Sequence, residues 1–160
     1  MKISMIAAIW EDNRVIWKWW DMPWWHSLKE DLKHFKEKTN WKTIVMWRKT
    51  FESLWSIPLK NRINIVITKK ELINVLTYSS LEECLQDQSN QLNKNDELMI
   101  IWWATLYQQC IDIADTLYLT LVKQHFDWDT FFPEFENKFS KVSSRISEDW
   151  NLEFSEFKKL

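Results

Sequence analysis

Residues 98–112 have the sequence LMIIWWATLYQQCID, and this stretch decides the fold that we expect. Residues 98–101 form a short, continuous apolar run, which is typical of a strand that is covered on both faces. A helix is predicted over residues 104–112, so Trp102 and Trp103 fall in the turn between strand and helix. A strand that leads directly into a helix is the repeating unit of α/β proteins with parallel sheets.

The rest of the chain continues this alternation in both directions. Strands are predicted at 2–9, 42–46, 62–68 and 116–122, with a weaker strand at 73–77. Helices are predicted from the N-cap Ser27 to Thr39, at 49–54, and from the N-cap Ser79, with Glu82 completing its capping box. Residues 86–97 are polar and predict an exposed connection, and segments 141–147 and 152–158 predict a hairpin. We therefore expect one three-layer α/β domain over residues 1–160, with a central, twisted, mainly parallel sheet, an antiparallel C-terminal hairpin and helices on both faces.

Charge and hydropathy exclude several classes of protein. The net charge is −2 and the basic residues are dispersed, so no basic stripe is available for nucleic acid. The longest apolar runs, at 3–10 and 98–104, are too short to span a membrane, and no signal peptide is visible. Cys84 and Cys110 are isolated, which indicates two reduced thiols in a cytoplasmic protein. The three histidines lack the spacing of a metal site, so no metal is expected.

Asp31 is the first candidate for chemistry. It lies on the first predicted helix, at the margin of a buried stripe formed by Leu28, Leu32 and Phe35. A carboxylate held against an apolar cleft is desolvated, which raises its pKa and suits it to proton transfer near neutral pH. The alternative is an ordinary solvated helix carboxylate, and the sequence leaves both interpretations open.

Two predicted strand ends carry cations that could bind phosphate. The segment 46–50 joins a strand to a helix start and supplies Arg48 and Lys49, while Lys69 and Lys70 follow the next strand. Ligands of parallel α/β sheets bind at the carboxyl ends of strands. Each signal is weak by itself, because a pair of lysines is usually a solvated surface.

Taken together and in order, these motifs resemble the dihydrofolate reductase family over almost the whole chain. The matching segments are 6–8, Val15-Ile16, Met22-Pro23-Trp24, Asp31-Leu32, 46–53, Pro58-Leu59, Arg62, Asn64, Tyr107, 118–120, 127–130 and Phe132-Pro133. The resemblance implies an enzyme that reduces dihydrofolate to tetrahydrofolate with a hydride from NADPH and so supports one-carbon metabolism. It also implies a cytoplasmic monomer whose partners are dihydrofolate and antifolate-type small molecules, without nucleic acid or membrane.

The resemblance also implies roles for individual residues. Asp31 would bond the edge of the pterin ring and favour protonation of the ring nitrogen next to the carbon that receives hydride, with Thr120 supporting Asp31 by a hydrogen bond. Tyr107 would lie near the nicotinamide and help to stabilise developing charge, and the loop around Met22 would close over the nicotinamide. Arg62 suits a bidentate pair with the α-carboxylate of the glutamate tail. The other residues implied for the substrate pocket are Ile6, Ala8, Leu32, Phe35, Leu54 and Ile101.

The cofactor would bind along the neighbouring strand ends. Arg48, Lys49 and Thr50 would meet its phosphates, and Thr68 and Lys69 would lie near the 2′-phosphate of the adenosine. Thr105 departs from the pattern, since some members have an arginine there. The other residues implied for the NADPH site are Ala8, Ile16, Trp17, Trp47, Ile101, Trp102, Trp103, Ala104, Thr105 and Leu106.

The chain has 13 tryptophans and no glycine, although an average chain of this length has about eleven glycines. The family normally has glycine at the positions of Trp17, Trp47, Trp55, Trp102, Trp103 and Trp128, and often at Trp10, Trp20, Trp25 and Trp41. Trp19 and Trp150 lie in predicted turns, and only Trp24 matches a family tryptophan. The hypothesis is that the other twelve stand for glycine, through the codon UGA, which different genetic codes read as stop, Trp or Gly, or through deliberate substitution.

Two alternative functions follow if the tryptophans are literal. A Trp-rich binding module for carbohydrate or a membrane interface would use exposed indoles, but it gives no reason for tryptophan at the family's glycine positions. A catalytically impaired relative that binds folate and NADPH is the other alternative.

Overall fold

The computed structural model describes residues 1–16, 25–125 and 127–160, apart from the side chains of residues 25–28. The contributions expected from Trp17 and Met22, and the family tryptophan Trp24, lie outside the described residues. The strands are β1 (Lys2–Trp10), β2 (Thr43–Trp47), β3 (Ile63–Ile67), β4 (Leu76–Tyr78), β5 (Glu97–Ile101), β6 (Thr116–Val122), β7 (Phe139–Ile146) and β8 (Leu152–Lys159). The helices are α1 (Trp25–Thr39), α2 (Arg48–Ser53), α3 (Leu81–Gln91) and α4 (Ala104–Cys110).

The strands form one sheet in the order β4-β3-β2-β5-β1-β6-β8-β7. The pairs among β1 to β6 are all parallel, and β1 lies between β5 and β6. β8 pairs antiparallel with both β6 and β7. The expected mainly parallel sheet with an antiparallel C-terminal hairpin is confirmed, and it brings the carboxyl ends of β1, β2, β3 and β5 to one edge.

Helices cover both faces of this sheet, as expected. Side chains alternate along a strand, so Met5 and Ile6 of β1 enter different cores. α3 and α4 pack on the Met5 side, through residues that include Leu81 and Leu106. α1 and α2 pack on the Ile6 side, where Phe35 is buried. Within the described part of the chain, no helix has the length and apolar character needed to cross a membrane.

Helix α3 differs from its prediction at both ends. The N-cap is Ser80, whose hydroxyl accepts the backbone N–H of Glu83 at 3.1 Å, while the Glu83 carboxylate accepts the backbone N–H of Ser79 at 3.0 Å. The predicted cap is wrong by one residue, because two serines precede two glutamates and either register satisfies the pattern. The exposed connection predicted over 86–97 is also wrong in its first half, since α3 continues to Gln91 and buries Gln88.

Most other boundaries move by one to three residues, and α1 and β4 are examples. α1 begins at Trp25, two residues before the predicted N-cap Ser27. β4 covers Leu76–Tyr78 and not 73–77, because only 76–78 pair with β3 and Ile73 is exposed. Neither shift changes the order of elements along the chain.

The C-terminal hairpin is bonded to the first helix. Arg145 Nη1 on β7 donates to Glu30 Oε1 on α1 at 2.8 Å, and the backbone N–H of Glu148 donates to Glu30 Oε2 at 3.2 Å. The Arg145 guanidinium also lies over the Phe154 ring, 4.4 Å from its centroid. These contacts hold the part of α1 that carries Asp31 against the C-terminal hairpin.

Candidate active site

A cavity of about 500 Å³ opens at the carboxyl edge of the parallel strands. Its walls come from residues 6–8 of β1, from α1 and α2, from the turn before α4, and from Thr120 of β6. Mostly apolar walls with a small number of polar groups are usual for a small-molecule site, and this edge of a parallel sheet is the usual place for one. Across the described ranges, no group of three or more His, Cys, Asp or Glu side chains is placed to hold a metal ion.

Asp31 on α1 faces β6 across this cavity. The Thr120 hydroxyl donates to Asp31 Oδ1 at 2.6 Å. Burial raises the pKa of Asp31 to about 6, and the bond from Thr120 partly opposes that rise because it favours the charged form. A carboxyl group with this pKa can exchange a proton near neutral pH, which an ordinary solvated carboxylate cannot do as readily.

Tyr107 ties α4 to β1 and to the turn after β5. Its hydroxyl donates to the carbonyl oxygen of Ile6 at 2.6 Å and accepts the N–H of Trp102 at 2.6 Å. The residue is fully buried, and burial raises the pKa of Tyr107 far above the ordinary value for tyrosine. The phenol is therefore a neutral group that fixes two pieces of backbone at the cavity wall.

The turn between β5 and α4 forms another wall. The Thr50 hydroxyl donates to the carbonyl oxygen of Trp102 at 3.0 Å, so both backbone polar groups of Trp102 are bonded. The Trp102 indole stacks on Phe35, with ring centroids 4.4 Å apart. Lys49 Nζ lies 5.9 Å from the centroid of the Trp103 ring. The Trp102 indole thus covers Phe35, which is expected to contact substrate. The Trp103 indole lies beside Lys49, which is expected to bind phosphate.

Arg62 lies beside the cavity on the Phe35 side. Its Nε donates to Thr39 Oγ1 at 2.8 Å, and its Nη1 donates to the carbonyl oxygen of Lys60 at 2.6 Å. The guanidinium carbon is 5.8 Å from the centroid of the Phe35 ring. Partial burial lowers the pKa of Arg62, but an arginine remains charged at physiological pH. The cation is therefore held in place next to a residue that lines the cavity.

The expected phosphate ligands are only partly brought together. Lys49 and Thr50 line the cavity. Arg48 forms an ion pair with a glutamate one turn along α2, with 2.5 Å between nitrogen and oxygen. Thr68 is buried at the end of β3 and Lys69 is exposed beyond it. The structure therefore places a cation and a hydroxyl at the cavity, with further cations outside it.

Most of the predicted site residues line the cavity. They are Ile6, Ala8, Ile16, Asp31, Phe35, Lys49, Thr50, Trp102, Trp103, Ala104, Thr105, Tyr107 and Thr120. The described residues that were predicted for the site but lie outside this lining are Leu32, Trp47, Arg48, Leu54, Arg62, Thr68, Lys69, Ile101 and Leu106. Ile101 and Leu106 are fully buried in the two cores, so they support the wall from behind.

Other lining residues had no predicted role in the site. They are Ala7, Ser53, Trp128, Asp129 and Thr130. The loop after β6 reaches the cavity because the backbone N–H of Ile16 donates to the carbonyl oxygen of Thr130 at 2.9 Å. The segment 127–130 was a visible motif, but its contact with the site depends on this pairing between distant loops.

The chain is similar to known proteins along nearly its whole length. A family model described as dihydrofolate reductase matches residues 2–159. A dihydrofolate reductase of Haemophilus influenzae is 37% identical over 161 residues, covering 99% of this chain and 89% of the relative. A dihydrofolate reductase of Bacillus subtilis is 40% identical over 146 residues, covering 89% of this chain and 82% of the relative. A solved structure of dihydrofolate reductase from Enterococcus faecalis, complexed with NADP(H) and RAB-propyl, matches with a TM-score of 0.79 at 32% identity and covers 99% of this chain and 96% of that chain.

Proposed function

The chain belongs to the dihydrofolate reductase family, and we propose that it reduces 7,8-dihydrofolate to 5,6,7,8-tetrahydrofolate with NADPH as the hydride donor. The similar enzyme of Enterococcus faecalis is complexed with NADP(H), which supports this choice of cofactor. The observation that carries the proposal is a buried carboxyl group with a pKa of about 6, bonded to Thr120 inside a cavity at the carboxyl edge of a parallel sheet. Similarity over nearly the whole chain favours an active enzyme over a catalytically impaired relative.

Asp31 would bind and orient the pterin ring. The bond from Thr120 holds one carboxylate oxygen and so restricts rotation of the carboxyl group. With a pKa of about 6, Asp31 carries a proton in a useful fraction of molecules at neutral pH and favours protonation of the adjacent ring nitrogen. The neutral Tyr107 would hold the Ile6 carbonyl oxygen in position at the same wall.

The remaining walls would exclude water and hold the other end of the substrate. Ile6 and Phe35 present apolar surface to the cavity, which keeps water from the reacting carbon. Arg62 lies beside Phe35 with its guanidinium held by Thr39 and by a backbone carbonyl group. A bidentate pair between Arg62 and the α-carboxylate of the glutamate tail would fit this placement.

The fit of the cofactor to the described cavity is incomplete. NADPH supplies the hydride when it is bound, and Lys49 and Thr50 are suitable ligands for its phosphate oxygens. A cavity of about 500 Å³ lies within the roughly 300–1,000 Å³ range of sites for one small molecule. The reaction needs a dinucleotide and a folate side by side, and the indoles of Trp102 and Trp103 occupy part of the wall of this cavity.

The working form would be a cytoplasmic monomer of one domain over residues 1–160. One sheet carries all eight strands, β1 to β8, which supports a single domain. Cys84 and Cys110 are free and buried, which is typical of a reducing compartment. Antifolate-type small molecules would compete with dihydrofolate for Asp31.

The test is NADPH oxidation on addition of dihydrofolate, followed by absorbance. It is run on the tryptophan chain and on a version with glycine at the twelve positions named above, and in each with Asp31→Asn. The glycine version should turn over, and Asp31→Asn should lose most of that activity at neutral pH. Asp112→Asn is the matched control, because Asp112 is exposed and pairs with Lys138 outside the cavity. Full activity in Asp31→Asn would remove Asp31 from the proton role.

A further inference from the structure

Tryptophan occupies backbone positions that normally require glycine. Eight described residues have positive φ, and four of them are Trp41, Trp55, Trp102 and Trp150, with φ of 62°, 59°, 51° and 63°. In this left-handed region a Cβ atom crowds the backbone, so glycine is the usual residue and asparagine is tolerated. Two of the other four are asparagines. A bulky side chain at positive φ is an outlier, and four of them in a chain without glycine require a common cause.

The turn after α2 shows the requirement most clearly. The backbone N–H of Trp55 donates to the carbonyl oxygen of Glu52 at 3.0 Å, and that of Ser56 donates to the carbonyl oxygen of Phe51 at 3.1 Å. This pair of bonds is the Schellman motif, in which the left-handed residue after the helix is usually glycine. Here that residue is Trp55, and its side chain is 88% exposed, so little packing offsets the strain.

Two further turns also place an exposed tryptophan at positive φ. Trp41 follows the C-terminus of α1 and is 78% exposed. Trp150 lies in the loop between β7 and β8, where its N–H donates to the carbonyl oxygen of Ser147 at 3.1 Å, and its side chain is 74% exposed. Tryptophan is highly buried on average in folded proteins, whereas glycine is favoured at the left-handed position of hairpin loops. Both positions therefore suit glycine and leave most of the indole exposed to solvent.

The fourth position lies in the candidate active site. The backbone of Trp102 is bonded to Thr50 through its carbonyl group and to Tyr107 through its N–H, so the turn cannot relax without losing these bonds. The Trp102 indole covers the Phe35 ring. Glycine would keep both bonds, satisfy the positive φ and uncover Phe35.

We propose that the working protein carries glycine at these four positions and at the other eight surplus tryptophans, each encoded by UGA translated as glycine. Trp24 alone is then a true tryptophan. The four turn positions follow from backbone geometry, and the other eight follow from the absence of glycine in a chain that should contain about eleven. Glycine at 102 and 103 opens the cavity that the two indoles restrict.

The direct test is to determine the twelve codons and the peptide masses of the protein from the organism that carries the gene. The expected result is UGA at the twelve positions, UGG at Trp24, glycine in the corresponding peptides, and an intact mass below 19.7 kDa by twelve Trp-to-Gly differences. The peptide with Trp24 is an internal control. UGG codons, or tryptophan in the peptides that contain positions 55 and 102, would overturn the proposal whether or not the chain is a reductase.

A second test isolates backbone strain in the tryptophan chain. The triple variant Trp41→Gly, Trp55→Gly, Trp150→Gly is compared with the matched triple alanine variant, which removes the indoles but keeps each Cβ atom. The glycine triple should have the higher midpoint of thermal unfolding. Equal midpoints for the two triples, or a lower midpoint with glycine, would contradict the strain at these turns.

A third test isolates the cavity and needs no turnover. Trp102→Gly combined with Trp103→Gly should tighten NADPH binding at least tenfold in calorimetry, while Trp55→Gly, which lies outside the cavity, should leave the dissociation constant unchanged. An unchanged dissociation constant in the double variant would show that the two indoles do not close the site.

Discussion

Thr120 and Asp31 are 89 positions apart in the chain, yet the Thr120 hydroxyl donates to Asp31 Oδ1 at 2.6 Å. The parallel pairing of β1 with β6 sets Thr120 beside Ala8, so the hydroxyl lies at the cavity next to a β1 residue that also lines it. The bond therefore joins the first helix to the sixth strand. The ionisation of Asp31 therefore depends on the correct placement of β6 in the sheet.

Replacing Asp31 by asparagine should stabilise the fold while it removes turnover. Burial raises the pKa of Asp31 from 3.8 to about 6, so between these values the native state binds the proton more tightly than the unfolded chain. The contribution of Asp31 to stability therefore falls as the pH rises from about 4 to 6, and the ionised group costs at most about 3 kcal/mol above pH 6. Thermal unfolding from pH 4 to pH 8 checks this: the advantage of Asp31→Asn should grow to about pH 6 and then stay constant. A less stable Asp31→Asn at pH 8 would contradict it.

His34, one turn along α1 from Asp31, should show the opposite pH dependence. Burial, with the nearby charges of Lys38 and Arg145, lowers the pKa of His34 to about 4. The unfolded chain binds the proton more tightly between about 4 and 6.5, so this contribution to stability rises with pH across that range. His34→Leu should therefore gain stability over the parent protein as the pH falls from 6.5 to 4, measured by denaturant unfolding. Parallel stability curves for the two proteins would rule this out. In the parent protein the contributions of Asp31 and His34 to stability therefore oppose each other between about pH 4 and 6.

Thr120→Val should lower kcat by about tenfold or more, since a hydrogen bond to a charged group contributes roughly 1.5–3 kcal/mol. The bond from Thr120 also lowers the pKa of Asp31, so its loss should move the pH profile of kcat to higher pH. Thr116→Val is the matched control, on the same strand and face but at the opposite end. If both variants lose activity equally with unchanged pH profiles, the effect of Thr120 is structural only.

Arg62→Lys should raise the KM for dihydrofolate by about tenfold while kcat changes little. Lysine keeps the charge but cannot form the bidentate pair with a carboxylate, a loss of roughly 1–2 kcal/mol. Steady-state kinetics in both substrates measures the effect, and the KM for NADPH is the control within the same protein. A rise in the KM for NADPH alone would place Arg62 on the cofactor side.

Tyr107→Phe should destabilise the protein by about 1–3 kcal/mol, because it leaves the buried carbonyl group of Ile6 and the N–H of Trp102 without their shared partner. Tyr78→Phe is a comparison that should also lose stability, since the Tyr78 hydroxyl bonds Asp87 and the buried Gln88 away from the cavity. Urea unfolding of both variants gives the comparison. The prediction fails if Tyr107→Phe is as stable as its parent.

Hydrophobic patterning predicted the central strands because they are buried on both faces and contain few polar residues. Residues 116–122 are an example, since all seven residues of β6 are buried. The same reasoning failed for the second half of α3, residues 86–91, where every residue is polar and only Gln88 is buried. A polar segment with one buried glutamine has the sequence character of a loop, and its helical structure becomes clear only from its packing on the sheet.

Site residues could be predicted where the chemistry of the side chain identifies them. They could not be predicted where a loop distant in sequence brings them to the cavity. Asp31 was singled out by its spacing from Phe35, but the choice between a buried and a solvated carboxylate depended on Thr120 of β6. Trp128 and Asp129 were missed as lining residues because they reach the cavity through the pairing of Thr130 with Ile16. The local sequence pattern does not show which distant loops pair with each other.

The position of β8 has a consequence for the order in which the molecule assembles. β8 is the last strand in the chain, yet it lies between β6 and β7, and Phe154 on it pairs with Thr120. β1 pairs with β5 and β6, which lie far from it along the chain. Sheets built from such long-range pairs fold slowly. During synthesis, Thr120, the partner of Asp31, is paired with β8 only after residues 152–159 have left the ribosome. Nascent chains that stop before residue 152 should therefore be protease-sensitive and unable to hold a ligand.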